Sequence, residues 1–121
     1  MSGNKSLGDF GERLAVAFLE QKGYRIRGRQ VRTRYGEIDI VAENAVAIIF
    51  VEVKTRRTTR FGLPEESITM SKRQHLAHAV DAYRVQEGIV EKNFRVDAIT
   101  ILLDEQTHKA TVRHIPDILM D

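Results

Sequence analysis

Two segments of the chain carry apolar residues at the three- and four-residue spacing of an amphipathic helix. They run from about Ser6 to Lys22 and from about Ser71 to Glu87. Each begins at a serine with the spacing of a capping box and is followed by a glycine, so both helix ends are predicted as well. Inside the first segment, Gly8 and Gly11 are poor helix formers and indicate a close approach of another backbone or an early bend.

Five further segments have the composition or the alternation of β-strands. They are Tyr24–Thr33, Glu37–Val41, Val46–Lys54, Arg95–Leu103 and Ala110–Ile115. The first is predicted to be an edge strand exposed on one face, because arginines recur at every second position. The third begins with the apolar run 46–51, which is typical of a strand buried on both faces. In the second, Glu37, Asp39 and Val41 are expected on one face, and a tight turn at Glu43–Asn44 joins it to the third.

The order helix, three strands, helix, two strands (αβββαββ) predicts an α/β fold with a central mixed β-sheet flanked by helices. No repeat, low-complexity tract or linker divides the 121 residues, so residues 1–121 are expected to form one domain. Hydrophobic residues make up 42% of the chain and charged residues 30%, which excludes a disordered protein.

The sequence has no cysteine, and its longest apolar run is far too short to span a bilayer. The first residues lack the charged and then apolar layout of a secretion signal. Disulfides, thiolate metal sites and membrane partners are therefore not expected. We expect a cytoplasmic location.

Basic residues fall in two clusters although the net charge is only +2. The clusters contain Arg25, Arg27, Arg29, Arg32 and Arg34, and then Lys54, Arg56, Arg57 and Arg60. Such local density suits a phosphate backbone, which predicts nucleic acid, most readily DNA, as the partner. The alternative is a solvated edge strand and loop, since basic edge strands also protect against aggregation.

Three charged residues occupy positions where the pattern is otherwise apolar. Asp39 lies within a strand of isoleucine and valine, and Glu52 and Lys54 end the most hydrophobic strand. A buried charge is costly unless it is paired or binds a metal. Glu52 and Lys54 share a strand face, and a hairpin through residues 43–44 would bring Asp39 to the same side.

This group has the chemistry that phosphodiester hydrolysis needs. Two carboxylates can hold Mg²⁺ or Mn²⁺, which polarises a phosphoryl group and activates water. An adjacent lysine can orient the water or neutralise the charge that develops on phosphorus. A structural ion pair of Lys54 with Glu52 or Asp39 is the alternative.

Several other polar residues have less specific interpretations. Lys72 and Arg73 lie in the first turn of the second helix, where basic side chains beside free N–H groups can hold phosphate. The loop from Thr55 to about Glu66 is the expected substrate-facing element. Glu37 could support a metal or be an exposed strand-start carboxylate, and Arg95–Asp97 is expected to be a supporting ion pair. Zinc binding by His75 and His78 would need a further ligand, so it is not favoured.

The motifs Gly36–Val41 and Phe50–Arg56 closely resemble the YraN-like family of small bacterial proteins. That family is similar to archaeal Holliday junction resolvases and belongs to the PD-(D/E)xK nuclease superfamily. The resemblance covers nearly the whole chain, including Gly8–Ala15, Phe61–Pro64 with Lys72, and Arg95–Asp97. One residue departs from the family pattern, because Gln30 stands where asparagine is usual.

The resemblance implies a restriction-endonuclease-like core with Asp39, Glu52 and Lys54 at the catalytic positions and Glu12 as an additional acidic member. It also implies a homodimer, since junction resolvases make two cuts. The main hypothesis is a Mg²⁺-dependent endonuclease acting on DNA, including branched or junction intermediates of recombination and repair. The alternative is a catalytically inactive nucleic-acid-binding module of the same fold, and a purely structural ion-pair network is a third interpretation.

Overall fold

A computed structural model of the chain describes residues 3–57, 64–89 and 93–119. Its elements are α1 (Gly3–Gln21), β1 (Arg25–Thr33), β2 (Gly36–Glu43), β3 (Ala47–Arg56), a short 3-10 helix (Pro64–Ser67), α2 (Met70–Glu87), β4 (Asn93–Asp104) and β5 (Lys109–Ile115). The predicted order αβββαββ is confirmed, and the 3-10 helix is an addition within the predicted loop. In the described ranges, neither helix is long and apolar enough to cross a membrane.

The five strands form one mixed sheet in the order β1-β2-β3-β4-β5. Strands β3 and β4 are parallel, and the other neighbours are antiparallel. Since α2 lies between β3 and β4 in sequence, it forms the crossover that a parallel pair requires. The arginine-rich β1 is an edge strand, as the sequence predicted. Of the run 46–51 that was predicted to be buried, Ile48–Val51 are fully buried, whereas Val46 precedes β3 and is 68% exposed.

The apolar residues of the sheet divide into two clusters, one on each face. One cluster includes Phe50, Val80 and Tyr83 and lies under α2. The other includes Leu19 and Ile49 and lies under α1. Burial on both faces explains why β3 carries a continuous apolar run instead of an alternating one.

The strict alternation predicted for β2 is wrong at Asp39. Ile38 packs in the α2-side cluster, whereas Ile40, two residues later, packs in the α1-side cluster. Opposite this point in β1, Gln30 has a left-handed φ of 49°. Irregularities of this kind re-aim side chains in a sheet, and here the residue they re-aim is Asp39.

Both predicted helix starts need correction. Helix α1 already includes Gly3, so Ser6 is an interior residue and not a cap. The N-cap of α2 is Thr69, not Ser71, and its side chain accepts a hydrogen bond from the Lys72 N–H at 3.2 Å. The glycine expected to stop this helix, Gly88, is confirmed as its C-cap with φ 66°.

Gly11 supports the predicted close approach, and Gly8 does not. A Cβ atom on Gly11 would lie 1.8 Å from the Thr55 Oγ1, whereas one on Gly8 would meet nothing within 4 Å. The neighbour is a side chain of β3 and not the backbone that was expected. Helix α1 therefore packs closely against the strand that carries Glu52 and Lys54.

Candidate active site

Asp39 and Glu52 meet where the hairpin between β2 and β3 opens. The last paired residues are Ile40 and Val51, so the same register would place Asp39 opposite Glu52. At that point the Asp39 Oδ2 accepts a hydrogen bond from the Val53 N–H at 2.8 Å. The carboxylate of β2 thus binds the backbone of β3, and both acidic side chains come to one side.

The two carboxylates are close enough to perturb each other. Burial and the neighbouring Glu52 raise the pKa of Asp39 to about 8, and Glu12 adds a smaller effect in the same direction. A desolvated carboxyl beside a like charge holds a proton unless a cation replaces it. This pair therefore favours the binding of a positive charge.

Two lysines supply positive charge at the same pair. The Nζ of Lys54 lies 3.9 Å from the Glu52 Oε2, and the Nζ of Lys72 lies 3.5 Å from the same oxygen. Burial, and then the neighbouring Lys72 amine, lowers the pKa of Lys54. Lys72 was predicted to bind phosphate, but its position against Glu52 was not predicted, because that distance depends on how α2 docks on the sheet.

These residues line a cavity of about 400 Å³ between the sheet and the first half of α2. Its walls include Tyr35, Gly36, Glu37, Asp39, Glu52, Val53, Lys54, Lys72 and His75. Glu37 lines the cavity at its edge, with its side chain 43% exposed and 3.8 Å from the Arg32 guanidinium. The cavity is large enough for a phosphate and several waters.

Glu12 is buried beside this site. Its Oε1 accepts a hydrogen bond from the Arg29 Nε at 3.0 Å, and the Gln30 side chain lies 3.4 Å from its other oxygen. Glu12 is only 6% exposed in spite of its charge. Its two partners lie at the irregular point of β1, opposite Ile40 and Asp39.

The donor set fits a hard divalent cation. Asp39 and Glu52 provide carboxylate oxygens, and the space around them allows water to complete the coordination, which is the arrangement that Mg²⁺ prefers. In the described part of the chain, no group of three or more histidine, cysteine or acidic side chains could hold a metal. A cation held by Asp39 and Glu52 would have these two carboxylates and would take its other ligands from water or from backbone carbonyls.

The predicted phosphate-binding residues occupy different surroundings. Arg32 and Arg34 flank the turn between β1 and β2, Arg56 ends β3, and Arg57 follows it, exposed. Arg73 does not enter the cavity lining, and its Nε donates to the Ile68 carbonyl at 3.3 Å.

Arg60, with the loop motif 61–63, lies outside the described residues.

A second charged cluster, which sequence reasoning only partly found, surrounds Asp97. The Arg95–Asp97 ion pair is confirmed, with two hydrogen bonds of 2.8 and 2.9 Å. Asp97 is fully buried and also contacts the His114 Nε2 at 2.7 Å and the Asp117 N–H at 3.1 Å. The partners from beyond β4 could not be assigned, because no spacing in the sequence links them to Asp97.

Comparisons with known proteins identify the relatives of this chain. The model of the uncharacterised protein family UPF0102 matches residues 11–101. A UPF0102 protein of Syntrophomonas wolfei is 43% identical over 112 residues, which cover 93% of this chain and 96% of the relative. A UPF0102 protein of Alkaliphilus metalliredigens is 40% identical, and the match covers 85% of this chain and 90% of the relative. A UPF0102 protein of Geobacter sulfurreducens is 44% identical, and the match covers 83% of this chain and 78% of the relative. The chain therefore belongs to the UPF0102 family, the YraN-like proteins that its motifs resemble.

Proposed function

We propose that this protein is a Mg²⁺-dependent endonuclease that hydrolyses phosphodiester bonds in DNA, with branched or junction structures as its preferred substrates. The observation that carries the proposal is the meeting of Asp39 and Glu52 at the opened hairpin, with two lysine amines 3.5 and 3.9 Å from the Glu52 Oε2. In a structural ion-pair network each carboxylate would contact a cation. Here both lysine amines lie at the Glu52 Oε2, whereas the described hydrogen bond of Asp39 comes from the Val53 N–H. The cavity of about 400 Å³ that these groups line can hold a phosphate with a metal.

Each side chain has a role that follows from its position. Asp39 and Glu52 hold the cation, and a bound Mg²⁺ (or Mn²⁺) would act as a Lewis acid on the phosphoryl group and lower the pKa of water. Lys54 shares a strand face with Glu52 and donates hydrogen bonds to the attacking water or to a phosphate oxygen. Lys72 neutralises developing negative charge from the α2 side. Glu12 tunes the site by holding Arg29 and by adding negative charge near Asp39.

One observation favours a binding module that does not cut. Two lysine amines lie at Glu52 and offset its negative charge, which a protein that uses this face only to dock nucleic acid would also need. The exposed Arg32 and Arg34, next to the cavity-lining Tyr35, would serve either function, and so would the exposed Arg57, which lines a different cavity with Leu103 and His108. Dependence on divalent metal separates the two.

The test is a cleavage screen with Mg²⁺ or Mn²⁺ over duplex, single-stranded, flap and four-way-junction DNA. The wild type is compared with Asp39→Ala and Glu52→Ala, and the control is Glu20→Ala, which removes an exposed carboxylate from α1. Cleavage by the wild type and the control, with a decrease of at least roughly a hundredfold in both site variants, is expected. Activity that survives both site substitutions would refute this assignment of the site.

The absence of cleavage on every substrate, combined with salt-sensitive binding, would instead establish the binding module. A homodimer is part of the endonuclease proposal, because symmetric resolution of a four-way junction takes two cuts. Sedimentation of the protein with and without junction DNA tests this part separately.

A further inference from the structure

A second cavity, of about 680 Å³, adjoins the candidate active site. It lies between the β1–β2 turn, Arg32–Tyr35, and one face of α2 from His78 to Gln86, and we call it the hairpin groove. Its volume is in the range of small-ligand sites, roughly 300–1,000 Å³. Tyr35 lines both this groove and the active-site cavity, so the two spaces meet at its side chain.

Tyr35 has the surroundings of a stacking platform. Tyr35 is 44% exposed, which makes it one of the exposed large hydrophobic residues among those that the structure describes. The His78 ring contacts it edge to face at a centroid distance of 5.5 Å, and the Arg34 guanidinium lies 5.2 Å from its centroid. An exposed aromatic ring beside a cation is the arrangement on which proteins stack unpaired bases.

The backbone holds Tyr35 in place. The Thr33 Oγ1 accepts a hydrogen bond from the Tyr35 N–H at 3.1 Å and donates one to the Gly36 carbonyl at 2.7 Å. Gly36 has a φ of 129°, which side chains other than hydrogen disfavour. The turn is therefore preorganised, and a ligand that stacks on Tyr35 need not order it first.

The charges in the groove suit a nucleotide. The Arg32 side chain is 87% exposed, and its one described ion pair, with Glu37 at 3.8 Å, is a surface pair that contributes little to stability. Arg34 is also exposed on the same turn. The opposite wall combines an apolar side chain, Val85, with the carboxylate of Asp81, which can accept a hydrogen bond from a base. Phosphate is thus favoured on the turn side, and a base between the turn and α2.

We propose that the hairpin groove binds one unpaired nucleotide next to the scissile phosphate, with its base on Tyr35 and its phosphate on Arg32 and Arg34. The inference rests on the proposed function for the role of the adjoining cavity, and it specifies the substrate class. That class is a nucleic acid with an unpaired or displaced nucleotide beside the cleaved bond. A continuous duplex keeps its bases stacked on one another and offers none to Tyr35.

The test measures binding by the full chain in the absence of divalent metal, so it does not require cleavage. The probe is a DNA duplex with a single-stranded overhang that carries 2-aminopurine, compared with the blunt duplex of the same sequence. Binding of the overhang is expected to quench the 2-aminopurine fluorescence. Tyr35→Ala is expected to weaken overhang binding on the order of tenfold and to abolish the quenching.

Two variants serve as controls. Tyr35→Phe keeps the ring and should stay within about twofold of the wild type, since stacking needs the π-face and not the hydroxyl. Phe10→Ala removes another exposed aromatic ring, on α1 and outside the groove, and should change neither binding nor quenching.

Unchanged affinity and quenching in Tyr35→Ala would overturn the inference, as would an equal decrease in affinity for the blunt duplex. Its failure is distinguishable from failure of the proposed function. If the quenching depends on Tyr35 but the protein cleaves no substrate, nucleotide binding in the hairpin groove is supported and the endonuclease proposal fails. If cleavage depends on Asp39 and Glu52 but Tyr35→Ala has no effect, the endonuclease proposal is supported and nucleotide binding in the hairpin groove is refuted.

Discussion

The position of Asp39 lowers the stability of the folded protein when its carboxyl group is ionised and binds no cation. Asp39 is desolvated beside Glu52, and its pKa is raised from 3.8 to about 8. Because the folded state binds this proton more tightly than the unfolded chain does, the associated stabilisation is complete below about pH 4. It is lost as the pH rises toward 8. A residue that served only stability would not be expected to have this dependence.

Asp39→Asn should therefore stabilise the protein in the absence of metal. The amide keeps an oxygen for the Val53 N–H but never ionises. We expect the free energy of unfolding at pH 8, measured by urea denaturation with a chelator present, to increase by about 1–2 kcal/mol. The exposed Asp81→Asn serves as the control. A less stable Asp39→Asn would contradict the raised pKa of Asp39.

Asp97 is also buried, but its pKa is lowered, whereas the pKa of Asp39 is raised. Burial by itself would raise the pKa of Asp97, but hydrogen bonds from His114 and Arg95 outweigh it and lower the pKa to about 2. The folded state thus prefers the ionised form. This contribution to stability is present above about pH 4 and is lost as the pH falls toward 2.

Asp97→Asn should lower the free energy of unfolding at pH 7 by about 2 kcal/mol, because it removes charge-assisted hydrogen bonds from a buried cluster. It should also flatten the decline in stability between pH 4 and pH 2, measured by thermal unfolding at a series of pH values. Glu105→Gln, in the exposed turn before β5, is the matched control. An unchanged acid profile in Asp97→Asn would rule out this carboxylate as the acid-sensitive group.

At the scale of elements, local sequence patterns predicted the order of the helices and strands better than the residues at which they begin. The periods of two and 3.6 residues identified both α-helices and all five strands of the described ranges in order, because each of these elements buries an apolar face. The start of α2 was misplaced because Ser71 and Thr69 are both capable caps. The choice depends on the chain entering from the 3-10 helix, which the pattern did not reveal.

Local sequence patterns also predicted part of the candidate site. Asp39, Glu52 and Lys54 are charges inside apolar strands, so the sequence itself marks them. Lys72 against Glu52 and His114 against Asp97 join elements that are far apart in the chain. Such pairings follow from tertiary packing, and no spacing in a single sequence encodes them.

The packing of α1 on β3 gives a prediction with a built-in control. Gly11→Ala would place a methyl group 1.8 Å from the Thr55 Oγ1, and rotation of the Thr55 side chain would still leave its Cβ atom 3.0 Å from that methyl group. We expect it to lower the free energy of unfolding by about 1–3 kcal/mol. Gly8→Ala meets no atom within 4 Å and should stabilise the helix by up to about 1 kcal/mol. Urea denaturation of both variants measures the difference, and equal effects would contradict the close packing.

Across the whole molecule, the fold separates the arginines that the sequence places together. At the start of β1, Arg25 and Arg27 contact Glu43, and Arg29 contacts Glu12. Arg32 and Arg34 lie at the other end of the strand, by the turn. Since β2 and β3 are antiparallel, this is also the end where β3 finishes at Arg56 and where the site opens. A net charge of +2 therefore understates the positive potential on the face that carries Lys54 and Lys72.

This separation can be tested with two arginines of one strand. Removing an arginine that binds a DNA phosphate should reduce the slope of log affinity against log salt by about one unit. Arg32→Ala, and likewise Arg56→Ala, should show this reduction in titrations of DNA at several NaCl concentrations. Arg25→Ala is the matched control, since Arg25 is also on β1 and 74% exposed, and Glu43 keeps its ion pair with Arg27. Equal slopes in Arg25→Ala and Arg32→Ala would mean that DNA responds to the charge of the whole molecule. A reduced slope in Arg32→Ala and Arg56→Ala, but not in Arg25→Ala, would locate the bound phosphates at the end of the sheet where Asp39 and Glu52 meet.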